Sequence, residues 1–170
     1  MNNDVVLVDE KDNAIGTEEK LAAHQKGLLH RAFSVFVFNS KGEMLLQKRN
    51  KSKYHSGGLW TNTCCSHQAP GESTIAAAHR RLKDEMGFDC DMKEVGHLLY
   101  KTHFENGLTE HEYDYIVIGS YDGQVDNVNP EEAEDWKWED PAKTLEDIDK
   151  NPDQYSYWFK LALKDALAKR

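Results

Sequence analysis

"ESTIAAAHRRLKDEMG", residues 72–87, is the stretch on which the reading of the whole chain turns. Ile75, Leu82 and Met86 recur at helical spacing, three alanines favour a helix, and Gly87 suits the position just past its end. The stretch is predicted to be the principal helix. Upstream, Pro70-Gly71 breaks the chain, and "LWTNTCCSH" (59–67) reads as extended. Before that, "RAFSVFVFN" (31–39) and "EMLLQKR" (43–49) read as strands of a hairpin turned by "SKG". "VVLVD" (5–9) reads as a short strand, followed by a turn at "KDNAIG". "TEEKLAAHQ" (17–25) reads as a helix capped by Thr17, with Glu18 and Glu19 at its positive end. Downstream, "EVGHLLYKTHF" (94–104) and "EHEYDYIVIGSY" (110–121) alternate as strands do. "EDWKWED" (134–140) reads as a short strand. "AKTLEDID" and "QYSYWFKLALKDALAKR" (154–170) read as helices. A mixed sheet flanked by helices follows, in the α+β or α/β class.

The 170 residues suit one domain spanning 1–170, and six Phe, seven Tyr and four Trp provide for a sizeable core. No apolar run approaches the ~20 residues that span a bilayer. The acidic N-terminus "MNNDVVLVDE" lacks a signal-like core, so a cytoplasmic protein is expected. A net charge of −9 argues against general affinity for nucleic acid or anionic membranes. It allows a small anionic substrate, provided that cations or metal ions gather locally. No obligate protein partner is evident.

Chemistry concentrates in two places. In "TEHEYDY", Glu110 and Glu112 share one face of a strand and His111 takes the other. Paired carboxylates repel unless a cation or proton lies between them, although a solvated face is the simpler account. In "WTNTCCSH", the neighbouring Cys64 and Cys65 have Cα atoms about 3.8 Å apart, closer than the roughly 4.4 Å that a disulfide needs. Burial, a reactive thiol and a metal ligand all stay open for them. Eight histidines are scattered along the chain, and spacing alone picks out no metal motif among them.

From Ser66 through Glu72 to "RRLKDEMGF" the chain resembles the Nudix box, with Ser66 where Gly is expected, Arg81 in place of a key glutamate and Asp84 in place of another. Glu72, Arg80, Leu82, Glu85, Gly87 and Phe88 fit. Arg81 and Glu85, one turn apart, also make an ordinary helical ion pair worth ~0.2–0.5 kcal/mol. Together "EKLAAH", "LLHRAFSVFVFNSKGEMLLQKR", "WTNTCCSH", "GES", "RRLKDEMG", "EHEYDY" and "YSYWF" follow in order the pattern of the type I isopentenyl-diphosphate Δ-isomerases, a Nudix-fold family that the chain resembles over nearly its whole length. Gln68 stands where proline is common, and "YHSGGLW" varies a loop.

The resemblance implies a Nudix-like α+β fold and isoprenoid-forming isomerase chemistry on a small-molecule diphosphate. It implies Cys65 and Glu112 as the proton-transfer pair, with Tyr100 orienting Glu112 and Trp158 facing a carbocation. His24, His30, His67, Glu110 and Glu112 would hold Mn²⁺ or Mg²⁺, with Zn²⁺ a further option. Glu85 would hold a second Mg²⁺ bridging to the diphosphate, and Lys20, Arg49, Lys53 and Arg81 would bind the phosphates. A Nudix pyrophosphohydrolase acting on a nucleoside diphosphate derivative is the alternative, and a Nudix-like binding module without catalysis is a third reading.

Overall fold

The computed structural model describes residues 3–170. Met1 and Asn2 of the acidic N-terminal stretch lie outside the described residues. Among the described residues nine strands and four α-helices follow in the order β1 (Asp4–Val8), β2 (Ala14–Glu19), α1 (Lys20–Lys26), β3 (His30–Phe38), β4 (Met44–Arg49), β5 (Trp60–Thr61), β6 (Cys64–Ser66), α2 (Thr74–Met86), β7 (Met92–His103), β8 (Thr109–Ser120), β9 (Ala133–Glu139), α3 (Pro141–Lys150) and α4 (Tyr157–Lys169). This is the α+β arrangement expected.

β3 is the strand on which the others are built. One edge runs parallel to β8 along its whole length, from His30 opposite Glu112 to Phe38 opposite Ser120. The other edge is shared by β1, β6 and β4 in turn. The expected hairpin of β3 and β4 closes only at its base, where Phe38 pairs with Met44. Beyond that the strands part, and side chains from "TNT" fill the gap. Thr63 Oγ1 accepts from the Val37 N–H (2.9 Å) and donates to the Leu45 carbonyl (2.7 Å). Asn62 Nδ2 donates to the Val35 carbonyl (3.1 Å). A buried backbone group without a partner is costly, so these two side chains stand in for the missing ladder.

Alternation along β3 separates two cores. Phe33, Val35 and Val37 pack with Leu45 and Val117 against Ala77, Ala78, Leu82 and Met86 of α2. Phe36 and Phe38 pack with Met44, Leu46 and Ile116 against Phe159 and Leu163 of α4. On the α4 side the strands change character halfway. β3 presents His30 and Ser34 before Phe36 and Phe38, and β8 presents Glu110, Glu112 and Asp114 before Ile116 and Ile118. The polar half of this face is where the chemistry gathers.

Two local readings are corrected. The helix expected over 17–25 starts at Lys20, and Thr17 does not cap it. The cap is Glu19, whose Oε2 accepts from the Ala22 N–H at 2.9 Å. Residues 14–19 instead form β2, paired antiparallel with β1. β2 is almost wholly exposed, so it carries no apolar alternation to betray it. The last helix begins at Tyr157, after a 3₁₀ turn at Pro152–Gln154.

α2 ends as its sequence demands. Gly87 has φ +75°, and a Cβ there would lie 2.2 Å from the Asn127 carbonyl oxygen. Gly42, in the β3–β4 turn, has φ +79° but open space around it. Gly42→Ala is therefore expected to cost about 1–2 kcal/mol through the left-handed backbone alone. Gly87→Ala should cost more, because the backbone must also move. Urea denaturation of the two variants checks this, and equal losses would contradict the close contact.

Candidate functional site

The cleft over the polar half of the sheet brings together residues from most of the chain. Lys20, Arg49, Lys53, Cys65, His67, Arg81, Glu85, Glu110, Glu112 and Trp158 all line it, with Phe33, Ser34, Tyr54, His55, Ser66 and Glu132. His24, His30 and Tyr100 lie buried beneath, in contact with the carboxylates. Every site residue expected from sequence is thus in or directly under this one cleft.

The centre is Glu112, 5% exposed. Its Oε1 faces three imidazoles: His67 Nε2 at 3.1 Å, His30 Nε2 at 3.5 Å and His24 Nε2 at 3.9 Å. Its Oε2 accepts from the Tyr100 hydroxyl at 2.6 Å. Burial opposes the charge on Glu112, yet hydrogen bonding to His30 and His67 holds its carboxyl well below the usual range. Glu110 goes the other way: burial, then the charge of Glu112, push its carboxyl well above that range. Tyr100, fully enclosed beside both carboxylates, is pushed up and stays a phenol donor.

Sequence locates the imidazoles by the elements that hold them. His24 sits in the last turn of α1, and its Nδ1 meets the Lys20 carbonyl at 2.7 Å. His30 opens β3, and its Nδ1 meets the Leu28 carbonyl at 2.8 Å. A carbonyl can only accept, so each Nδ1 carries a proton, and Nε2 is the ring atom left to meet Glu112 or a cation. His24 Nε2 is buried without a hydrogen-bond partner among the described residues. His30 Nε2 and His67 Nε2 face each other at 3.2 Å. Burial holds His67 neutral, with its pKa lowered to about 3. Imidazole nitrogens gathered around a carboxylate oxygen fit a divalent cation, and the donor atoms of His24, His30, His67 and Glu112 all lie within 4.8 Å of one another.

Cys65 and Cys64 take opposite faces of β6. Cys64 is fully buried against α2, whereas Cys65 lines the cleft. Burial pushes the Cys65 thiol well above its ordinary range, so it carries its proton. Beside it, Ser34 pairs with Cys65 across the strands and donates to Asp114 Oδ2 at 2.8 Å. Asp114, 1% exposed, is pushed well up by burial and then by Glu112. Trp158 is held by its indole N–H, which donates to Asn62 Oδ1 at 3.2 Å, and the Arg49 guanidinium lies 5.1 Å over its ring.

Four cations stand at the rim. Burial and then the charges of Arg81, Lys53 and Arg49 lower the pKa of Lys20, which shows how closely they crowd. Glu132 partly offsets them, pairing with Lys53 and with Arg81 at 3.2 Å. Arg81 also donates to Glu85 Oε1 at 2.8 Å, and Gln47 donates to Glu85 Oε2 at 2.9 Å. The ion pair read from the helix spacing is therefore present, but it belongs to a buried network.

Sequence reasoning passed over His55, Tyr54, Ser34, Asp114, Gln47, Asn62 and Glu132. Asp114 had a signal, since it continues the face of Glu110 and Glu112. His55 and Tyr54 had none, because they lie in a loop without period.

A NUDIX domain model matches residues 28–159. "Isopentenyl-diphosphate Delta-isomerase 2" of Aromatoleum aromaticum is 49% identical, over all of this chain and 89% of that protein. "Isopentenyl-diphosphate Delta-isomerase" of Serratia proteamaculans is 48% identical, over 97% of this chain and 92% of that protein. Among solved structures, a Deinococcus radiodurans protein superposes with a TM-score of 0.78 at 16% identity, covering 96% of this chain and 98% of its own. A MutT protein from Methanosarcina mazei does so at 0.67 and 17% identity, over 84% and 96%. At that distance the structural likeness concerns the fold alone.

Neutral His67 makes stability depend on pH. Between about 6.5 and about 3 the unfolded chain binds a proton on this imidazole and the folded chain does not. Its contribution is present above that window and is lost as pH falls through it. In chelator, the native protein should lose more stability from pH 7 to pH 4 than His67→Gln, measured by urea denaturation. Parallel losses would show that His67 is not held neutral.

Proposed function

The chain belongs to the isopentenyl-diphosphate Delta-isomerases of the NUDIX-domain family, and from that premise we propose that Cys65 and Glu112 perform its proton transfers from two sides of the cleft. The enzyme interconverts isopentenyl and dimethylallyl diphosphate by a 1,3-allylic proton shift. A proton is added at the terminal alkene carbon and another leaves two carbons away. The intermediate resembles a tertiary carbocation, so the reaction needs an acid, a base and exclusion of water.

One observation supports the reading above the rest. Cys65 on β6 and Glu112 on β8 flank β3, opposite Ser34 and His30, so they approach the cleft from its two sides and from different levels along that strand. Both side chains line the same cleft, leaving a five-carbon chain between them. Their protonation states are complementary. Cys65 keeps its proton through burial, and Glu112 is held ionised by the imidazoles. One group gives a proton and the other takes one, and they exchange roles with direction. Tyr100 fixes Glu112 through Oε2, which leaves that oxygen aimed away from the imidazoles. The Trp158 ring offers its face to the cation, worth roughly 2 kcal/mol when desolvated, once Arg49 moves from it to a phosphate.

His24, His30, His67, Glu110 and Glu112 would hold a divalent ion, Mn²⁺ being our first choice over Mg²⁺ or Zn²⁺. When bound, such an ion neutralises the paired carboxylates and stabilises the anion of Glu112. Lys20, Arg49, Lys53 and Arg81 bind the diphosphate. Glu85 would help to hold a second Mg²⁺, which would offset charge on the diphosphate, and Arg81, now paired with Glu85, would then be free for phosphate oxygens. Arg81 in place of a Nudix glutamate sets this site apart from hydrolysis.

Incubation with isopentenyl diphosphate and Mn²⁺ or Mg²⁺ should yield the acid-labile allylic isomer. Cys65→Ala and Glu112→Gln should each lose about 10²–10⁴-fold or more in rate, the scale of general acid–base catalysis, and Cys64→Ala should lose little. Substrate should protect Cys65 from alkylation. Equal loss in the two cysteine variants, with unchanged circular dichroism, would remove Cys65 from the mechanism.

A further inference from the structure

A fourth imidazole reaches the carboxylates from a loop that the reaction does not otherwise need. His55, 8% exposed, lies between β4 and β5, and its Nε2 is 3.4 Å from Glu110 Oε1. Its ring is clamped on three sides. Phe104 stacks on it at 4.9 Å and 7°, Trp158 meets it edge-on at 5.7 Å, and Tyr54 meets it edge-on at 4.6 Å. The loop is bent sharply to deliver it. Ser56, the next residue, has φ +52°, and a Cβ on Gly57 would lie 2.7 Å from the Lys51 carbonyl oxygen. A non-glycine residue in the left-handed region is uncommon and persists where the surroundings over-determine it.

Two groups of donor atoms satisfy the closeness that a bound ion requires. One is His24, His30, His67 and Glu112, and the other is His24, His55 and Glu110. They share His24. Its Nδ1 is committed to the Lys20 carbonyl, so only Nε2 can act as a ligand. A nitrogen with one lone pair cannot serve two ions. Two separate ions therefore cannot fill both groups, and a single ion on His24 Nε2 is the arrangement that could engage both.

We propose that His55 is the sixth ligand of this centre, giving one divalent ion four imidazoles and two carboxylates. The inference rests on the metal site proposed above and adds to it. Six protein donors would leave no place on the ion for water or substrate. Such an ion would supply positive charge to Glu112 and Glu110, and the diphosphate would be left to the cations at the rim. Four imidazoles also favour a transition metal over Mg²⁺, which suits oxygen donors.

The test counts nitrogens. The full chain, labelled with ¹⁵N-histidine and loaded with Mn²⁺, is examined by pulsed EPR. Four coupled imidazole nitrogens are expected in the native protein, and three in His55→Phe and His55→Gln. Phenylalanine keeps the packing against Phe104 and Trp158, so a folding defect is not mistaken for a lost ligand. Both variants should bind Mn²⁺ at least 10–100-fold more weakly, the loss typical of removing even an outer partner of a metal site. Three nitrogens in the native protein, or an unchanged count in the variants, would overturn the role of His55 and leave the five-residue site standing. Failure of the native protein to bind Mn²⁺ would overturn that site as well.

Discussion

Two buried carboxylates on one strand face are the constraint that organises this molecule. Glu110 and Glu112 are each at most 5% exposed, and nothing in an apolar core would tolerate both as free anions. The chain answers by surrounding them. Tyr100 hydrogen-bonds to both, at 2.6 Å to Glu112 and 3.3 Å to Glu110. Three imidazoles crowd Glu112 and a fourth approaches Glu110. These partners come from α1, β3, the end of β6, the loop after β4, and β7. The topology of the sheet can be understood as what is needed to bring those five segments to one end of β8.

The second constraint is electrostatic and longer in range. A chain of net charge −9 places Lys20, Arg49, Lys53 and Arg81 at one rim, where they lower the proton affinity of Lys20 after burial has done so. Glu132 holds two of them, and Glu85 holds Arg81. An anion with several oxygens can take these cations over from the two carboxylates. The protein offsets its own crowded positive charge by supplying internal counter-ions, so Lys53 and Arg81 are paired within the fold.

Much of this was legible in the sequence because period and chemistry coincide. The α2 pattern of Ile75, Leu82 and Met86 marks a helix with one buried side, and Arg81 and Glu85 follow on its flank. Alternation in "TEHEYDY" puts both glutamates on one face from residue order alone. The two neighbouring cysteines are told apart by the family resemblance, and the structure sets them on opposite faces of β6. What escaped has physical reasons. β2 is exposed on nearly every residue, so it has no apolar period. The hairpin of β3 and β4 looked continuous because side chains of Asn62 and Thr63, not backbone, fill its gap. His55 reaches the site through a strained loop, and a loop's path depends on backbone angles that residue type only loosely predicts.

The same alternation explains why one fold can host a different chemistry. The face of β3 that meets α2 is wholly apolar, with Phe33, Val35 and Val37 locked against the helix. It holds α2, and with it Arg81 and Glu85, in a fixed place. The opposite face changes from polar to apolar halfway, so an ionic part and an apolar part adjoin on one surface. Cys65 sits at this boundary, packed beside the core around Phe36 and open to the cleft. A thiol suits that place better than a carboxylate would. It is small and apolar enough to share the core's edge, and burial raises its affinity for the proton. Its proposed carboxylate partner, Glu112, lies where imidazoles surround its charge, on the other side of β3.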